Sequence, residues 1–201
     1  MANANAADSD RRLWTLPLAR AVIAAVAGCV VTFSPDHGPA FGLAVFGGFA
    51  LASGAVSLAL GLPVWSGRAR PLALGSAALT LAAGVAALIA LPVAHLLSFV
   101  ALVAGWALLS GFLEFSSGRR GHGLAARDSV VVGIGTMLLG AAFGLLPPHP
   151  VVTVGLLGAY AVMLAVYLAI AAFSLKWAVG ADAATGHDPV APTTPTSGGD
   201  R

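Results

Sequence analysis

The chain has 201 residues, of which 58% are hydrophobic and 9% charged, with a mean hydropathy of +0.91. A soluble domain of this length needs more polar surface than that, so the expected solvent is lipid. The net charge of +2 argues against a nucleic-acid partner, and the single cysteine, Cys29, excludes an internal disulfide.

Six apolar stretches are long enough to cross a hydrocarbon core, which takes roughly 20 residues: 16–34, 39–62, 71–91, 93–117, 129–146 and 151–175. Prolines at 39, 63, 71, 92, 147, 148 and 150 punctuate their ends. No run of alternating residues supports a barrel. Residues 1–12 and 180–201 are polar, poor in large apolar side chains, and read as disordered.

Between spans the basic residues alternate. Arg11, Arg12, Arg20, Arg68, Arg70, Arg119, Arg120, Arg127, Lys176 and Arg201 all fall on one set of connections, and the other set has no Lys or Arg. The positive-inside rule then places both termini in the cytoplasm of a multi-pass bacterial inner-membrane protein. Trp14, Trp65 and Trp177 stand beside these cations, where indoles anchor at headgroups.

The spans repeat in pairs, over about 13–66, 67–123 and 124–179. The first helix of each pair carries Gly28, Gly84 or Gly140, followed by Pro35, Pro92 or Pro147. An aromatic residue comes next, Phe49, Trp106 or Tyr160, spaced by 57 and then 54 residues, and a small residue follows at Gly54, Gly111 or Ala165. With two crossings per unit the units are parallel, so the expected fold is an all-α membrane protein with six transmembrane helices as three parallel helical-hairpin repeats.

Residues 103–177 carry Gly105-Trp106-Ala107-Leu108-Leu109-Ser110-Gly111-Phe112-Leu113-Glu114, then Arg119-Arg120, Gly133 to Pro147, and Gly158-Ala159-Tyr160. This half resembles the HdeD-type acid-resistance membrane proteins, small six-span bacterial proteins built from helical hairpins. The resemblance implies a six-helix inner-membrane protein with a part in acid or envelope stress, and it supplies no molecular activity. The first pair of spans matches only through the repeat, with Ser57 where the later units have Glu114 and Leu168.

Few side chains are candidates for chemistry. Glu114, the sole glutamate, lies 22 residues from Pro92, or about 33 Å along a helix. That puts it at the cytoplasmic interface, within reach of Arg119, Arg120 or another loop arginine, as a structural carboxylate or as a group with a role in transport or assembly. Trp106 is about 21 Å along the same path and needs a partner for its indole N–H. Val26-Ala27-Gly28-Cys29 has the form of a lipoprotein cleavage site, although Gly28 already has a place in the repeat. Gly140 and Gly144 form a small-xxx-small face suited to close packing within or between chains.

His37, His95 and His149 follow the repeat's outer prolines. Imidazole gains charge between about pH 8 and 5, so they form a candidate pH-sensing element, or a zinc site if they converge; solvated loop residues are the plainer reading. No catalytic triad, His-x-x-x-His or phosphate-binding loop occurs, and the expectation is a protein that is not an enzyme and takes no cofactor or metal. Its expected partners are the bilayer and either a further copy of the chain or another membrane protein. Two functions compete: stress maintenance through an outer face or partners, and a small channel or transporter between hairpins or subunits. Mid-span polar residues are few, among them Ser53, Ser76, Thr80, Ser110 and Thr136, which weighs against transport.

Overall fold

The computed structural model describes residues 14–62, 65 and 67–185, with 179–185 described through the backbone alone. Most of the two segments read as disordered, 1–12 and 186–201, and the basic residues Arg11, Arg12 and Arg201 lie outside the described residues. Six α-helices follow one another: α1 (Thr15–Phe33), α2 (Pro39–Gly61), α3 (Arg70–Ala90), α4 (Leu96–Arg120), α5 (Leu124–Leu145) and α6 (Pro150–Thr185). All six are long and apolar enough to span a membrane.

The turns are built by the residues that punctuate the sequence. Pro39 and Pro71 occupy first-turn positions, where a missing N–H costs nothing. Asp36 Oδ1 accepts from the Gly38 N–H at 2.8 Å to shape the α1–α2 turn. At the opposite end of the helices, Gly67 and Gly123 adopt φ of +59° and +83°, conformations that disfavour a Cβ. Pro92 sits in a 3-10 turn, Leu91–Val93, which separates α3 from α4.

Two helix boundaries differ from the sequence reading. α5 begins at Leu124, five residues before the expected Ser129, because hydropathy marks the hydrocarbon core while the helix extends past it through Arg127 and Asp128. α6 continues to Thr185 although the polar tail is expected from 180; Ala181, Ala183 and Ala184 favour helix there, against Gly180 and Asp182.

Consecutive helices pack side by side, and α6 returns to α1, closing a ring. The most extensive packing joins α4 to α5, α6 to α1 and α2 to α3. Small residues permit it. A Cβ on Gly28 would lie 3.2 Å from the backbone nitrogen of Val162, one on Gly84 2.8 Å from that of Leu51, and one on Gly140 3.0 Å from that of Leu108. Gly140 therefore packs within the chain, whereas Gly144 meets nothing within 4 Å.

The outward surface is apolar, including Val22, Val26, Ile89, Leu138, Met163 and Ile170, as lipid contact requires. Inside, toward the end of the ring that bears the histidine turns, Leu43, Phe46, Phe99, Val103, Phe143 and Val154 are almost fully buried. They close the bundle there. Phe99 and Phe143 meet edge to face with centroids 5.8 Å apart.

Candidate functional site: a one-ended vestibule

Above this apolar plug the helices diverge around a cavity of about 310 Å³, lined by residues of all six. Its floor is aromatic. Trp106 stands edge-on to Phe46, Phe49 and Tyr160, at centroid distances of 5.0, 6.1 and 6.5 Å. Its mouth lies at the basic end, among Pro17, Trp65, Ala69, Gly121, His122 and Leu175.

Helical spacing brings the lining residues into layers. Ser53 and Ser57 follow Phe49 by one and two turns on α2, as Ser110 and Glu114 follow Trp106 on α4 and Leu164 and Leu168 follow Tyr160 on α6. On α3 and α5, Thr80 and Thr136 face the floor, with Ser76 and Val132 one turn nearer the mouth. Arg20 completes the lining from α1. The mid-span polar residues Ser53, Ser76, Thr80, Ser110 and Thr136, sparse along the sequence, thus all face one cavity.

The floor is hydrogen-bonded. Trp106 Nε1 donates to Thr80 Oγ1 at 3.1 Å, and Thr80 donates in turn to the Ser76 carbonyl at 2.8 Å. Tyr160 OH and Thr136 Oγ1 lie 2.8 Å apart. Trp106 therefore has the partner its burial requires, and Thr80, which supplies it, stands four residues before Gly84 as Thr136 stands four before Gly140. That offset within the repeat was the available signal for both threonines.

Glu114 pairs with an arginine of another helix. Its partner is neither Arg119 nor Arg120 but Arg20, whose Nη2 donates to Glu114 Oε1 at 2.7 Å. Arg119 lies instead over the Phe115 ring. Since α1 and α4 stand opposite each other in the ring, the ion pair bridges the vestibule between helices that are not neighbours. Arg20, read in the sequence only as a topology signal, is a lining residue. Nearer the mouth, Tyr167 OH donates to Asp128 Oδ1 at 2.9 Å between α6 and α5.

The histidines belong elsewhere. His37 is half-buried and His95 and His149 are exposed, all at the plugged end. Among the described residues no group of three His, Cys, Asp or Glu side chains is placed to hold a metal, so these imidazoles do not converge on one. Cys29 is exposed on α1, away from the cavity. Trp14 packs under Lys176 at 5.2 Å, and Trp177 is exposed.

Comparison with protein-family models, curated proteins and solved structures finds no match to this chain.

Proposed function

We propose that this multi-pass membrane protein is a non-enzymatic carrier of small polar solutes, with the vestibule as its binding chamber and the basic, vestibule end in the bacterial cytoplasm. The observation that carries this reading is the convergence of polar side chains from six apolar helices on one cavity, open at one end and plugged at the other. Polar groups are expensive inside a membrane and concentrate along solute pathways. In this arrangement the aromatic floor and the plug beyond it are the barrier that parts during passage.

The same reading takes the ring as three parallel hairpins about an axis through the vestibule. Support comes from the three glycine contacts, Gly28 to Val162, Gly84 to Leu51 and Gly140 to Leu108, whose partners are spaced by the repeat's own intervals. Membership of the HdeD type, and with it a setting in acid or envelope stress, rests on the resemblance around Gly105 to Glu114. Reconstitution in proteoliposomes tests the function. A panel of small neutral, anionic, cationic and zwitterionic solutes should include at least one whose flux exceeds that of empty liposomes and is abolished by Ser57→Trp, which fills the vestibule. Equal leakage of every solute from empty and loaded liposomes overturns the carrier reading.

A further inference from the structure

The vestibule has unlike walls. One is polar: Arg20 and Glu114 meet through a single nitrogen and a single oxygen, and their side chains retain 24% and 17% of their exposure. The remaining guanidinium donors and the second carboxylate oxygen form no hydrogen bond among the described residues. Beside them, the hydroxyls of Ser53, Ser57 and Ser76 also form none, yet among the described residues no buried side-chain polar atom is left sealed without a partner, so these oxygens face the open volume. The other wall, from α5 and α6, is apolar at the same levels, at Val132, Leu164 and Leu168, with Ser129 and the Tyr167-bound carboxylate of Asp128 about one turn nearer the mouth.

We propose that the vestibule binds a small zwitterion with an apolar side chain, the chemistry of a free aliphatic α-amino acid. This rests on the carrier reading and names its solute class. The ligand's carboxylate lies on Arg20, its ammonium on Glu114, and its side chain against Val132, Leu164 and Leu168.

Charge balance selects this class. A lone anion that takes Arg20 leaves Glu114 without its cation in a partly buried site, and a lone cation on Glu114 strands Arg20. The pair is partly buried, so separating it from one side leaves a charge that water compensates only in part. A zwitterion inserted into the pair exchanges one ion contact for two and leaves neither charge unmatched. The serine hydroxyls donate to the carboxylate or accept from the ammonium. A neutral polyol would use the serines but gain nothing from the ion pair or from the apolar wall. The cavity volume lies at the small end of ligand pockets, which favours a ligand of amino-acid size.

The test is equilibrium binding of radiolabelled L-valine to the full-length protein in lipid nanodiscs. Its competitors are isovalerate, which lacks the ammonium, isobutylamine, which lacks the carboxylate, and glycine, which lacks the side chain. We expect valine to bind saturably and each of the two half-charged analogues to compete about tenfold or more weakly. Glycine should compete less well than valine. Arg20→Gln and Glu114→Gln should each weaken valine by about tenfold or more, while the ligand series on the unaltered protein decides the matter should either variant misfold. Absence of valine binding, or isovalerate or isobutylamine competing as well as valine, overturns the zwitterion assignment. Equal competition by glycine overturns the role of the apolar wall. If valine fails while another solute class shows protein-dependent flux, the carrier reading stands and this inference alone falls; if neither binding nor any flux is found, both fall.

Discussion

The indole N–H of Trp106 donates to the hydroxyl of Thr80 across the α3–α4 contact at 3.1 Å, at the point where the vestibule ends. The bond matters because Trp106 is 6% exposed and an indole N–H buried to that degree is costly to leave without an acceptor. Thr80→Val keeps the shape of the side chain and removes the acceptor, so it should destabilise the bundle by about 1–2 kcal/mol, whereas Thr80→Ser should cost less. Unfolding in mixed micelles measures both. A double-mutant cycle with Trp106→Phe should give a coupling of about 0.5–2 kcal/mol, and a coupling of zero would show that the bond contributes nothing.

Two glycines on neighbouring helices predict opposite outcomes for the same substitution. Gly84→Ala drives a Cβ against the backbone of Leu51 and Gly47, which cannot move as a side-chain tip can, and should cost about 1–3 kcal/mol. Gly48→Ala meets nothing within 4 Å and should be neutral, or stabilising by up to about 1 kcal/mol through helix propensity. Melting temperatures of the two variants in the same detergent check the pair. Equal destabilisation would contradict the packing of α2 on α3.

The spans were legible in the sequence because each presents enough apolar residues to cross a bilayer, and lipid exposure permits little else. The vestibule was not. Each helix contributes only one to several polar residues to it, and their sparseness along the chain hides their convergence in space. The repeat held the missing information. Four and eight residues beyond Phe49 and Trp106 stand Ser53, Ser57, Ser110 and Glu114, and four and eight before Gly84 stand Thr80 and Ser76. Eight before Gly28 stands Arg20, which charge counting had assigned to topology. Its pairing with Glu114 follows from closure of the ring, and no local pattern contains that.

Reporters fused after Pro35, Pro92 and Pro148 should read as outside, and those after Gly67, Gly121 and Gly180 as inside. The warrant is the confinement of Lys and Arg to one set of connections. A reporter active on the outer side at Gly121 would overturn the orientation and, with it, the assignment of the vestibule mouth to the cytoplasm.

The histidines make a separate prediction. His37, His95 and His149 form no side-chain hydrogen bond among the described residues, and two are exposed, so no hydrogen bond seen at that end depends on their imidazoles. Replacing all three with Gln should leave acid survival at the parent level at equal membrane abundance. Reduced survival of this variant would instead make the outer turns a pH-sensing element.

A vestibule open at one end predicts directional access. In a Cys29→Ala background, which removes the exposed native thiol, cysteines at Ser57, Ser53 and Phe46 sample the path from near the mouth, through the chamber, to the plug. Alkylation needs thiolate, and thiolate forms where water reaches. A membrane-impermeant thiol reagent applied from the basic side should therefore modify Ser57→Cys fastest and Ser53→Cys more slowly, and should leave Phe46→Cys unmodified. From the opposite side all three should resist it, because the rings of Phe99 and Phe143, joined by that of Phe46 in the two serine variants, fill the space between. Comparable modification of Ser53→Cys from both sides would mean that the plug is permeable at rest, and the chain would then behave as an open channel.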